Sequence, residues 1–268
     1  MKRLFAIVLL LAAAPTVTAE EKLRIIDATD SGGSAVVQLA MGIGRKRNCE
    51  VSLHTLDAAT ALEKLAADET DVVLLNGADL PRPAPKNAFR YATGAFLAIV
   101  SAQNPLRRFS SADLKLLFGV PSPKWELVGG SPAPVGRIAV RARRGACAGA
   151  AKLGVDSAAG TLLVGSMGEA IVLAESDPYA LIWGPFVADI PVAAVAASVD
   201  GVAPTRAAIR SGRYPFSIPR YAVAADAPGE AAREFLQMLR SGEFAELLED
   251  DGELPELPEI PKRPAADK

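Results

Sequence analysis

The sequence predicts an α/β fold built on a parallel sheet and divided into two lobes, and three observations carry this. Strand-like and helix-like segments alternate from residue 22 onward, the order that builds a parallel sheet. The run at residues 71–75 (DVVLL) is apolar without alternation, as a strand covered on both faces must be. The same strand, glycine turn and helix appears twice, at residues 23–39 (LRIIDATDSGGSAVVQL) and again from residue 136 (GRIAVRARRGACAG), with Pro81, Pro83 and Pro85 breaking the chain between them.

The leading residues are not part of that fold. Lys2 and Arg3 precede an apolar stretch at residues 4–14, and Val17 and Ala19 are the small residues read by a signal peptidase, so residues 1–19 are expected to be an export signal cleaved near Ala19. An apolar stretch of 11 residues is short for a membrane span, and no later stretch approaches the roughly 20 that one needs. The expected location is therefore periplasmic or otherwise exported, and the chain is not expected to be an integral membrane protein. Removing Lys2 and Arg3 from the 29 basic residues leaves 27 against 31 acidic, a net charge of −4, which suggests neither nucleic acid nor an acidic membrane as partner.

The elements follow in order. Residues 50–55 (EVSLHT) read as a second strand and 58–67 as a helix with Ala58, Ala61, Leu62 and Leu65 on one side. Residues 91–101 form a longer strand after the prolines, and Ser110 or Ser111 caps a short helix that stops at Gly119 before Pro121 and Pro123. Further on, residues 165–175 are helical, 180–182 and 192–199 are strands, 205–210 a short helix and 220–224 a strand. Helices at 230–240 and 243–248 close the globular part, and from Leu254 four prolines mark an extended tail without a core pattern.

Candidate site residues begin at the first turn. Gly32 and Gly33 allow a tight bend, and Ser34 is suited to cap the helix that follows, whose opening N–H groups would face an anion or a polar ligand; a plain connecting turn fits the same residues. Asp27, Asp30 and Asp57 are placed to gather where strand ends meet, although Asp30 and Asp57 each precede a helix and so read as caps. His54 is the one histidine, on an alternating strand, which excludes a multi-histidine metal site and argues against a catalytic triad. No catalytic residue, metal or cofactor is expected. Trp125, Trp183 and Tyr214 read as core aromatics. Cys49 and Cys147 fall in different lobes of this reading and are not expected to pair.

Three further stretches carry a resemblance to a known family. Asn104-Pro105, the helix through Leu117-Phe118-Gly119, and Trp125 resemble the segment "NP…L…LRDIFSG…W" of the substrate-binding proteins of phosphate-type ABC transporters. Residues 200–205 (DGVAPT), Ile209, Ser211-Gly212, Tyr214-Pro215 and Tyr221 resemble the family's "DGV.PT…I.SG.YP…R.LY", and Phe235 to Ser241 its "F…FLLS" helix. The resemblance implies a two-lobed periplasmic-binding-protein-like (type II) fold, with lobe I at residues 22–91 plus 221–252, lobe II at 92–220 and a Pro-rich tail at 253–268. It implies a monomer that holds a small, phosphate-like anion between the lobes and delivers it to an ABC permease. Carried over, the ligand-binding positions are Ser31, Gly32, Gly33 and Ser34 in the first turn, Thr60 after strand two, Asn76 after strand three, and Arg141, Arg143 and Gly145 in the second-lobe turn. This chain lacks the family's "GSG" after strand two and its "SGT" after the arginine, so an interaction module that has lost the anion is the alternative; Arg141, Arg143 and Arg144 could compensate, since guanidinium groups grip oxyanions in a bidentate way.

Overall fold

The structure, a computed structural model, describes residues 21–29, 33–141, 149–155, 160–241 and 244–256. The proposed export signal, Asp30, Ser31, Gly32, Arg143, Arg144, Gly145 and Cys147 lie outside the described residues.

The first part of the chain runs β1 (Lys22–Asp27), α1 (Ser34–Arg47), β2 (Glu50–Thr55), α2 (Ala58–Ala66), β3 (Val72–Asn76) and the long β4 (Ala88–Ser101). The middle adds β5 (Arg108–Phe109), α3 (Ser111–Gly119), β6 (Gly136–Val140), α4 (Ala150–Leu153), β7 (Leu162–Val164), α5 (Met167–Glu175) and β8 (Ala180–Pro185). Then come β9 (Ala194–Ala196), β10 (Ser198–Val199), α6 (Arg206–Arg210), β11 (Ser217–Ala224), α7 (Glu230–Arg240), α8 (Ala245–Asp250) and β12 (Glu253–Pro255). No helix among the described residues is long and apolar enough to cross a membrane.

One curled mixed sheet runs in the order β2-β1-β3-β11-β4-β8-β6-β7, with β9 and β12 joined to β4, while β5 and β10 pair in a separate two-stranded sheet. Strand β1 lies parallel to β2 and β3, and β6 parallel to β7 and β8, while β11 and β8 run antiparallel to β4. Helices cover both faces of the first strand set. Leu23, Ile25, Val72 and Leu74 pack with α1 and α7, whereas Ile26, Val73 and Leu75 pack with Ala61 and Leu62 of α2, which is why residues 72–75 of β3 form an unbroken apolar run. The remaining core gathers around β6, β8, α3 and α5, and the handover between cores falls within β4, between Ala92 and Ala95, and within β11, between Ala222 and Ile218. Trp125, Trp183 and Tyr214 are at most 1% exposed in that second core, in keeping with their reading as core aromatics.

Local signals explain most boundaries. Ser110 Oγ accepts the Asp113 N–H at 3.0 Å while Asp113 Oδ2 accepts the Ser110 N–H at 2.7 Å, a reciprocal cap that starts α3. Asp57 caps α2 by accepting the Thr60 N–H at 2.9 Å, as its position before a helix predicts.

Three expectations need correction. Strand β8 runs on through Trp183-Gly184-Pro185, because these residues pair with Ala98, Leu97 and Phe96 of β4. The strand expected over residues 192–199 is two short pieces, β9 on β4 and β10 on β5. Most consequentially, the segment at Leu254 is not a coreless tail. Residues Glu253, Leu254 and Pro255 pair antiparallel with Gly94, Thr93 and Ala92 on the edge of β4 opposite β11, and Leu254 is fully buried. An edge left open there would strand backbone groups beside the fully buried Thr93, and β12 supplies their partners.

Candidate ligand cleft

Register places the site. Asn76, the last residue of β3, pairs with Arg220 of β11, which pairs with Ala92 of β4; Pro185, the last residue of β8, pairs with Phe96. The C-terminal ends of β1–β3 and of β6–β8 therefore converge from opposite sides on residues 92–96 of β4. Strand ends meeting at a point where sheet direction changes form the usual ligand crevice of open α/β sheets.

The floor of this crevice is charged and buried. Arg220 and Glu253 form an ion pair at 2.9 Å with side chains only 4% and 6% exposed, and Arg220 also donates to Asn76 Oδ1. Gly94 makes room for the pair, since a Cβ there would lie 2.8 Å from a Glu253 carboxylate oxygen. Asp27, 1% exposed, accepts the Thr29 N–H and hydroxyl at 2.9 and 2.6 Å. Burial raises the Glu253 carboxyl above its ordinary 4.5; Arg220 opposes the shift, and the neighbouring Asp27 and Asp251 add to it. Burial, reinforced by the charges of Glu253 and Asp27, likewise pushes the Tyr91 phenol well up and keeps it neutral.

The candidate residues divide as follows. Gly33 is the N-cap position of α1 and brings no side chain to it, so Ser34 is the first helical residue rather than the cap. The cap comes instead from the far end of the chain: Asp251 accepts the Ser34 hydroxyl at 2.6 Å and the Ala35 N–H at 2.5 Å. Position 33 has no side chain to compete, and the helix end attracts a carboxylate through its unpaired donors and dipole. Thr60 donates its hydroxyl to Asp57 at 2.7 Å, and Asn76 spends its amide on Arg220 and, at 3.1 Å, on Asp79. Arg141 follows β6 directly, its N–H bonded to the Val164 carbonyl at 2.8 Å; its exposed guanidinium has no hydrogen bond or ion pair among the described residues. Ser31, Gly32, Arg143 and Gly145 lie outside those residues. Of the three aspartates expected at the strand ends, Asp27 is buried there and Asp57 is an exposed cap. His54 is exposed on β2, and Cys49 is a half-buried free thiol.

Sequence reasoning did not single out Arg220, Glu253 or Asp251. A charged residue inside the strand-like residues 217–224 was the available signal for Arg220, whereas Asp251 and Glu253 sit in an acidic stretch that reads as solvated surface.

No protein-family model matches the sequence, and no curated protein matches it. Solved structures do. An ABC-type phosphate transport receptor from Vibrio cholerae superposes with a TM-score of 0.71 at 18% identity, covering 87% of this chain and 99% of that one. A possible phosphate binding protein from Planctomyces limnophilus gives 0.73 at 16% identity over 89% and 94% of the two chains, and PstS from Borrelia burgdorferi 0.65 at 16% over 88% and 99%. At such identities the likeness establishes the fold, a periplasmic-binding-protein-like one, and these neighbours are binding proteins.

Proposed function

We propose that this chain is an exported, non-enzymatic solute-binding protein, a monomer whose two lobes, residues 22–91 with 221–252 and residues 92–220, close on phosphate or a related small oxyanion and present it to an ABC permease. The observation that carries the reading is Arg141, an exposed guanidinium without a partner among the described residues, standing at the end of β6 where two sets of strand ends face one stretch of β4. A guanidinium so placed is free to grip an oxyanion in a bidentate way, and hinge movement about β4 and β11 would enclose it. The names of the structural neighbours point to the same ligand class.

A second reading, an interaction module that has given up the anion, draws on Thr60 and Asn76, whose polar groups are already committed within the chain. Magnitudes separate the two. A micromolar site needs about −8 kcal/mol, and each hydrogen bond to a charged ligand contributes roughly 1.5–3 kcal/mol. Two lost donors would thus weaken binding by about a hundredfold or more. Isothermal titration of the protein lacking residues 1–19 with phosphate, sulfate and molybdate near neutral pH tests this: heat with one of them is the expected result, and no heat with any removes the transport reading.

A further inference from the structure

The C-terminal segment, residues 245–256, crosses the crevice floor with an acidic side chain on each of four elements. Glu249 meets Arg206 at 2.7 Å and Arg210 at 3.4 Å on α6, Asp251 holds the start of α1, Glu253 pairs with Arg220 on β11, and Glu256 meets Arg90 of β4 at 3.0 Å. Gly252, with φ at +78°, presses its backbone against the Phe186 carbonyl just beyond β8, a fit that leaves no space for a Cβ. The segment is thus strapped to both strand sets at once.

Its anchors are unequal. Glu253 and Leu254 are buried, whereas Asp251 is half-buried and its partner Ser34 is exposed. Asp251 can therefore leave α1 by a side-chain rotation, without β12 unzipping from β4. Its two oxygens are divided between a hydroxyl and a backbone N–H, as two oxygens of a bound oxyanion would be, and Arg141 on the other strand set, without a partner among the described residues, supplies a cation for an incoming anion.

We infer that residues 245–256 form an autoinhibitory strap: the Asp251 carboxylate occupies the donors at the start of α1, and an oxyanion binds in the crevice by displacing it. This regulates the site proposed above and rests on that reading. A helix cap in the ordinary sense would only stabilise α1; a strap also makes the chain's own carboxylate a competitor for ligand.

Titrating wild type, Asp251→Ala and Asp251→Asn with inorganic phosphate and with sulfate decides it, folding being checked by thermal melting. Both variants should bind at least tenfold more tightly than wild type, and adding Ser34→Ala to either should erase most of the gain; the asparagine variant, which keeps the shape of the side chain, covers a folding failure of the alanine one. Binding by the variants but not by wild type upholds the strap while the native transport reading falls. Equal or weaker binding by the variants overturns the strap and leaves the transport reading standing. Silence from all three proteins removes both.

Discussion

Arg220 and Glu253 meet at 2.9 Å beneath the crevice, one from β11 and one from β12, with Gly94 of β4 giving them room. Asp27 and Asp251 add negative charge around Glu253, so Arg220 is the cation that keeps several carboxylates compatible with the interior. Arg220→Met should therefore cost about 3–5 kcal/mol at neutral pH. Urea unfolding measures the loss, and a cost under about 1 kcal/mol would show the pair to be dispensable.

The Glu253 carboxyl gives a pH dependence whose sign follows from its raised pKa. Above 4.5 the unfolded chain gives up this proton while the folded chain still holds it, so the stability due to this group is greatest at or below 4.5 and declines as pH climbs through the folded value. Glu253→Gln, a neutral mimic of the protonated acid, should match wild type on the acid side and be at least as stable at pH 7. Denaturation curves across that range check it, and a large neutral-pH loss in the glutamine variant would reverse the sign.

Arg141, at the end of β6, has an exposed guanidinium without a partner among the described residues. Arg141→Ala should lower phosphate affinity by more than about a hundredfold, the equivalent of two charged hydrogen bonds, with the melting temperature unchanged because the side chain is exposed. Unaltered affinity in the titration would move the site to another residue.

Gly252 sits at φ +78° against Phe186. Gly252→Ala should destabilise the fold by about 1–2 kcal/mol from the left-handed backbone alone, and by more once the methyl meets the Phe186 carbonyl. A melt shows this, and hydrogen exchange should rise across residues 245–256. A neutral outcome would mean that the segment is not held against β8.

How much was legible before folding depended on whether the cue was local. Ser110 with Asp113, and Asp57 with Thr60, act over three residues, and both caps stand where their spacing puts them. Residues 71–75 were readable as a doubly covered strand because burial on two faces imposes an unbroken apolar run. Ser34 has the right chemistry in the right place for a cap, yet the group that serves α1 lies 217 residues from it. Nothing local distinguishes Asp251 from its neighbours Glu249 and Asp250. Residues 253–255 are illegible for the same reason, since three residues ending in proline carry no periodicity and become a strand only when the edge of β4 is there to receive them.

By itself the sequence determined the alternation of strands and helices, the caps and breaks that bound them, and the apolar faces that pack into cores, because each depends on residues within a turn or two of one another. Only the tertiary structure decided that two sets of strand ends look onto residues 92–96, that Glu253 has Arg220 to offset its burial, and that a carboxylate from late in the chain rests on α1. Those relationships join residues separated by most of the chain, and the free energy of a charge depends on what surrounds it in space, which no stretch of residues reveals on its own.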